Sequence, residues 1–255
     1  MPAFAGDALP QTQTGTLIAL ADRLDSLAGL FGTGQIPTGS KDPFALRRAS
    51  LGVLRLLVEK EINIDLGTLI DWALANDWET DLKSDTKAVL TEYMLDRFSA
   101  WYHDEGIPAE VFQAVRTLGI TNALDVNRRV QAVHEFSKLE SAEALAAANK
   151  RVSNILAKNN GDAVSADVDA SLFEAAEEKA LFEQMTGLKD LIIPSLEKGN
   201  YSMALEALST LRKVVDDFFD NVMVISDNEA VKNNRLALLK QLRAMFMGIA
   251  DISVL

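Results

Sequence analysis

Residues 145–158 read Leu-Ala-Ala-Ala-Asn-Lys-Arg-Val-Ser-Asn-Ile-Leu-Ala-Lys, and here residue types and spacing come closest to a chemistry. At about 100° per helical residue, Lys150, Arg151, Asn154 and Lys158 share one arc, while Leu145, Ala148, Val152, Ile155 and Leu156 fall on the opposite side. Such a helix packs by one face and offers cations and an amide on the other, which suits phosphate contacts and the reading of base edges. Between residues 121 and 158, six basic side chains (Arg128, Arg129, Lys138, Lys150, Arg151, Lys158) stand against four acidic ones (Asp125, Glu135, Glu140, Glu143), a local excess of positive charge in a chain of net charge -12. On the residues alone the plainer reading leads: a solvated helix face with i,i+4 neighbours.

Other candidates are weaker. His103 and His134 lie far apart and in no ligand spacing, so no metal site is expected. Gly32-Thr33-Gly34 has neither the strand before it nor the helix after it that a phosphate loop requires. Phe218 and Phe219, set among Asp216, Asp217 and Asp220, have the makings of a base-stacking platform. The helical recurrence of Leu208, Leu211, Val214, Val215 and Phe218 favours core packing instead. Tyr201 stays open. Lys232, Asn233, Asn234 and Arg235 read equally well as a polar rim around a nucleotide or as a solvated helix start.

Composition narrows the classes. The chain has 255 residues, 48% of them hydrophobic, enough for two modest cores. It contains no cysteine, which excludes disulfides, thiolate zinc sites and cysteine nucleophiles. No apolar run approaches the roughly 20 residues of a bilayer span, so a soluble protein of the cytoplasm is expected, with neither membrane nor DNA as partner. Strong net negative charge argues against coating nucleic acid by bulk electrostatics, so any RNA contact must be local.

The positioning elements read as helices throughout, an all-α protein. A first helix is predicted over 16–31, ending at Gly32 and Gly34. Asp42-Pro43 reads as N-cap and N1 of a second helix running to about Glu61. That helix carries apolar residues around its whole circumference, the mark of a buried helix, so Arg47 and Arg48 need partners and at least one pair with Asp22 or Asp25 is expected. Further helices are predicted over 84–103, from Pro108, and over 123–139, 142–158, 172–197, 202–221 and 229–252, with a loop at 159–169. Three segments follow: 1–64, connecting helices over 65–120, and a helical bundle over 121–255.

Several stretches together, Ala21-Asp22-Arg23-Leu24-Asp25-Ser26-Leu27, Lys41-Asp42-Pro43-Phe44-Ala45-Leu46-Arg47-Arg48, Ala148 to Leu156, and Phe218 to Val224, resemble the C-terminal part of the β subunit of the bacterial two-subunit glycyl-tRNA synthetase. The resemblance runs from about Phe4 to Leu255. It implies the end of an HD-like helical domain over 1–64, where Asp22 matches a closing aspartate but no upstream histidines accompany it, and an anticodon-binding bundle over 121–255, similar to that of the arginyl and cysteinyl synthetases. It further implies that the α subunit activates glycine with ATP and Mg, that the β subunit positions glycine tRNA, and that this stretch is non-catalytic and holds no cofactor or metal itself. Partners would be glycine tRNA, the α subunit and the rest of the β subunit. Arg128, Arg129, Lys150, Arg151, Asn154 and Lys158 become the expected RNA contacts, with Glu143 as an acceptor for cytosine. Two alternatives stand beside this: a module docking the α subunit, and a remnant of an HD-type metal phosphohydrolase. A chain opening inside a domain also leaves the second helix's apolar surface free for association with another copy.

Overall fold

The computed structural model describes residues 8–159, 165 and 167–255, and among these the only β pairing is an isolated bridge between Thr38 and Lys41. The chain forms two compact units, one running up to Ala109 and resuming over Ile120–Asn127, the other made of Glu110–Gly119 and Arg128–Leu255.

The first unit is organised by α1 (Gln13–Gly32), which begins where the Thr12 hydroxyl accepts from the Gly15 amide at 3.1 Å. Its Leu20, Leu24, Leu27 and Phe31 recur every three or four residues and are buried, each leucine contributing about 1.5–3 kcal/mol. This face packs against α2 (Leu46–Glu59), α3 (Leu66–Leu74) and α4 (Thr86–Leu95), and α5 (Arg97–Asp104) lies against α2 and α4. Residues 8–64 and 65–109 fall in one compact unit, with α1 packed directly on α3 and α4 across the expected 64/65 boundary. The returning segment is tied down at Asp65. Its carboxylate caps α3 at the Thr68 amide and also accepts from the Thr121 hydroxyl, while the Leu66 amide donates to the Thr121 carbonyl.

Near its end α1 carries glycine where side chains cross it. A Cβ at Gly29 would sit 2.6 Å from the Trp78 ring, and one at Gly32 equally close to Leu82. The helix then exits through Gly34 at φ 82, as its glycines predict.

α2 differs from expectation. It starts at Leu46, after Ala45 at φ 55, although Asp42 still caps it by accepting from the Leu46 and Arg47 amides at 2.8 and 3.1 Å. It buries one side only, through Leu46, Val53, Leu54, Leu56 and Leu57, while Arg48 and Glu59 are exposed and Arg55 bridges to Glu59. The pairing of Arg47 and Arg48 with Asp22 and Asp25 rested on full burial, and that condition is not met. Arg48, Asp22 and Asp25 are exposed. Half-buried Arg47 donates to the Gly39 carbonyl, and Asp25 accepts from Asn76 at 3.2 Å. No charge is stranded, so no carboxylate is required.

The second unit contains α6 (Ala109–Arg116), most of α7 (Ala123–Ser137), α8 (Ala142–Lys158), α9 (Ala176–Glu197), α10 (Tyr201–Ser209), α11 (Arg212–Asn221) and α12 (Glu229–Met247). α9 packs against α10 and α11, and α12 against α8, α9 and α10. Leu236, Leu238, Leu239, Leu242 and Phe246 of α12 meet a core shared with Leu145, Val152, Leu181, Met185, Leu208 and Phe218. α8 has the predicted bounds, whereas two predicted helices are broken. The 84–103 stretch divides at Asp96, and 202–221 divides at Thr210, whose carbonyl is taken by Gln184 of α9 instead of the next turn. Most of the predicted loop at 159–169 lies outside the described residues.

Two glycines test this packing with opposite signs. Gly29→Ala gains about 1 kcal/mol of helix propensity but must displace the Trp78 ring at a cost of about 1–3 kcal/mol, so the urea midpoint should fall. Gly187→Ala, on α9 with nothing near its Cβ, should raise it by about 0.5–1 kcal/mol.

Candidate RNA interface on the eighth helix

Alanine-rich and free of breakers, α8 buries Ala142, Leu145, Ala146, Ala148, Asn149 and Val152. Asn149 is accommodated there because its amide donates to the Leu145 carbonyl at 3.0 Å. The opposite side exposes Glu143, Ala147, Lys150, Arg151, Asn154 and Lys158 as one stripe. Among the described residues Lys150, Asn154 and Lys158 make no hydrogen bond or ion pair within the protein. Arg151 makes a ring contact alone, its guanidinium 4.3 Å from the centroid of Phe219 on α11.

That freedom is informative because neighbouring cations of the same unit are committed. Arg212 pairs with Glu140 at 3.2 Å, Lys213 with Asp217, Lys138 with Glu135 and Lys232 with Glu229, each of these three at 2.7 Å. Exposed pairs of this kind add little stability, typically below about 1 kcal/mol, but they screen the charge from a ligand. Lys150, Arg151 and Lys158 keep theirs available to solvent.

The other two expected RNA contacts part company. Arg128 is exposed, its guanidinium lying over the turn at Gly199, between α9 and α10. Arg129 has a different role. Its Nη1 donates to the carbonyls of Gly248 and Ile249 at 2.7 and 2.9 Å, its Nη2 to the Tyr201 hydroxyl at 2.9 Å, and the guanidinium also lies 4.2 Å over the Tyr201 ring. A cation at the end of α12 opposes the negative pole of that helix, and the carbonyls freed there are satisfied. Arg129 is a structural clamp, and Tyr201, 5% exposed, is its partner.

The polar start of α12 is likewise structural in part. Asn234 exchanges two hydrogen bonds with the backbone of Asp169, at 2.8 and 3.0 Å. Arg235, 7% exposed, donates from Nε and Nη2 to both oxygens of Glu178, at 2.9 and 3.1 Å, and also reaches Glu174 and the Met223 carbonyl. Glu178 is fully buried and accepts from the Glu174 and Ala175 amides as well, capping α9. Burial pushes the Glu178 carboxyl up, but the Arg235 bonds and the two amides outweigh it and hold it below its ordinary 4.5. Lys232 and Asn233 do line a hollow of about 680 Å³, shared with Asp167, Asp169 and Glu229. Three carboxylates against one lysine make that hollow a poor receiver of phosphate, so the nucleotide-rim reading fails there.

Elsewhere, Asp22 stands exposed on α1, and His103 and His134 belong to different units. Phe218 is fully buried and Phe219 half-buried, so the two adjacent rings do separate jobs. The Arg235–Glu178 pair left one sequence signal, a glutamate three residues into a helix, but its partner lies 57 positions away.

Comparison with known proteins places this geometry. A model of the glycyl-tRNA synthetase β subunit matches residues 1–117, and a model of the DALR anticodon-binding domain matches residues 145–252, which include Lys150 to Lys158 and Phe219. The chain belongs to the glycyl-tRNA synthetase β-subunit family. It is 51% identical over 255 residues to the glycine–tRNA ligase β subunit of Marinobacter nauticus and 52% identical over 257 residues to that of Pseudoalteromonas translucida. The corresponding subunit of Vibrio campbellii is 50% identical over 255 residues. In each comparison all of this chain is covered, but it spans only 37%, 37% and 36% of those relatives, their C-terminal part. No helix of the described residues is long and apolar enough to cross a membrane.

Removing one member of the buried pair exposes its weight. Arg235→Ala leaves Glu178 charged and uncompensated and should cost the second unit about 3–5 kcal/mol in denaturant unfolding. Because the Glu178 value is depressed on folding, its contribution is complete above the unfolded value of 4.5 and is lost as pH falls through the lower folded value. Asp251 behaves alike: burial raises its carboxyl, but Ser253 and Arg243 hold it below 3.8. Thermal midpoints should therefore drop steeply below about pH 4.5, and Glu178→Gln should flatten that limb.

Proposed function

We propose that this chain is the tRNA-recognition portion of a glycine–tRNA ligase β subunit, holding the anticodon arm of glycine tRNA so that the α subunit can charge it with glycine using ATP. The observation that carries the proposal is the α8 stripe: exposed cations and an amide with no hydrogen bond or ion pair among the described residues, inside the stretch that matches an anticodon-binding domain. Lys150 and Lys158 hold phosphates, Arg128 contributes from α7, where its guanidinium lies over the α9–α10 turn, and Arg151 meets the RNA beside them. Asn154 and Glu143 face bases. Glycine codons begin with two guanines, so the anticodon ends in two cytosines, and a cytosine reader needs an acceptor for the exocyclic amine and donors for O2 and N3. The stripe contains both.

An acidic chain suits this role. A net charge of -12 repels RNA from most of the surface, so retention depends on the few places where local charge is positive and base contacts add to it. The ligase chemistry, with ATP and Mg, is assigned to the holoenzyme, and none of the side chains described above is given a catalytic role. The cytoplasm is the proposed compartment. A second role for the first unit is supported by Leu17 and Ile18, adjacent on α1 and each 58% exposed, which suit docking of the α subunit. Co-purification of the chain with that subunit, lost in Ile18→Asp, tests the second role.

For the first, the chain is titrated against glycine tRNA and against the same tRNA with both anticodon cytosines replaced, at one salt concentration. Selective binding of the unaltered tRNA is expected, and equal binding would overturn the anticodon reading. Lys150→Ala and Lys158→Ala should each weaken binding and reduce the slope of log K against log salt by about 0.7–0.9, with unfolding midpoints unchanged within about 0.5 kcal/mol. A slope that stays the same would remove that lysine from the phosphate contacts.

A further inference from the structure

Arg151 differs from the lysines of its stripe. Its guanidinium is laid on the Phe219 ring, 4.3 Å from the centroid, and that ring meets Phe218 edge-on, with centroids 5.5 Å apart and planes at 79°. Phe218 is fully buried, Phe219 half-buried and Arg151 exposed. Three groups thus run in order from the core to the surface, and the outermost is a flat cation whose far face is open to solvent.

A guanidinium used only for phosphate binding gains from its in-plane fork of donors and needs no ring beneath it. One backed by an aromatic ring is fixed in plane and position, and the group that matches its outer face is another planar π system. The one amide on the exposed stripe is Asn154, three residues on, whose Cβ lies about 5–6 Å away in a helix, within the breadth of a base. Its amide carries a donor and an acceptor and is uncommitted, as an edge contact to cytosine requires.

We infer that Arg151 and Phe219 form a stacking shelf on which one anticodon cytosine lies against the outer guanidinium face, with Asn154 at its edge. The inference rests on the tRNA reading above and assigns Phe219 as a positioning residue, acting through Arg151. The flanking Lys150 and Lys158 supply charge without shape, so the shelf governs discrimination between bases and the lysines govern overall affinity.

The test separates the two. Arg151→Lys keeps the charge and removes the plane, and Phe219→Leu keeps an apolar side chain and removes the ring. Each is titrated at fixed salt with glycine tRNA, with the cytosine-replaced tRNA, and with glycine tRNA carrying fluorescent pyrrolocytosine at either anticodon cytosine. The unaltered chain should quench the fluorophore at one position on binding. Both variants should lose that quenching and about tenfold of the preference for the cytosine-bearing tRNA, while the salt slope stays the same. Arg151 is exposed, so Arg151→Lys decides the matter alone should Phe219→Leu fail to fold. Quenching and preference retained in Arg151→Lys overturn the shelf while leaving the anticodon reading intact. No preference in the unaltered chain overturns both.

Discussion

The second unit depends on a buried ion pair. Arg235 and Glu178 meet where α12 crosses the start of α9, and the Arg235 donors are shared among both Glu178 oxygens, Glu174 and the Met223 carbonyl. Glu178 caps its own helix with one oxygen and grips Arg235 with both. Two charges withdrawn from water tolerate very little displacement, which gives the pair its use as a locating pin. Apolar contacts between α9 and α12 would permit sliding, whereas the forked geometry accepts one register. Asn234 extends the same lock by one residue and fixes the chain entering α9 at Asp169.

The distribution of positive charge follows the same economy. The second unit has arginines of three kinds: Arg235 and Arg129, consumed in holding helices together; Arg212, balanced by acid at the surface; and Arg151, supported by a ring. Arg151 offers its charge and shape outward. A helix that must pack tightly on one side and meet a polyanion on the other cannot place arginine at random. α8 resolves this by giving its buried side to alanine, leucine and valine and carrying no acidic residue of its own beyond Glu143. In the proposed role the strongly negative remainder acts as a filter, since weak background attraction makes a few specific contacts count for more.

Legibility in the sequence tracked the range of the interaction. The α8 stripe was readable because helical periodicity is local, and its bounds and exposed face are those the spacing implies. The C-terminal end of α1 was readable for the same reason, through Gly32 and Gly34. The breaks at Asp96 and Thr210 were not, because the decisive partner of Thr210 is Gln184, on another helix. Full burial of α2, the premise on which a pairing of Arg47 or Arg48 with Asp22 or Asp25 was expected, was inferred from an apolar composition that the fold distributes unevenly. Arg129 shows the limit most clearly. As a residue type beside Arg128 it looked like a phosphate ligand, and nothing within ten positions reveals that two carbonyls 119 and 120 residues away claim its donors.

The path of the chain between its two units has a consequence for how the protein is made and cut. The first unit lacks Ile120–Asn127 until after Glu110–Gly119 has already been laid down for the second. Thr121, which closes the knot at Asp65, arrives with that late segment. Synthesis from the N-terminus therefore leaves the first unit one tie short until residue 127 has left the ribosome, with part of its neighbour already exposed. A protease that nicks the chain once, anywhere, cannot release both units whole. The two are braided in sequence.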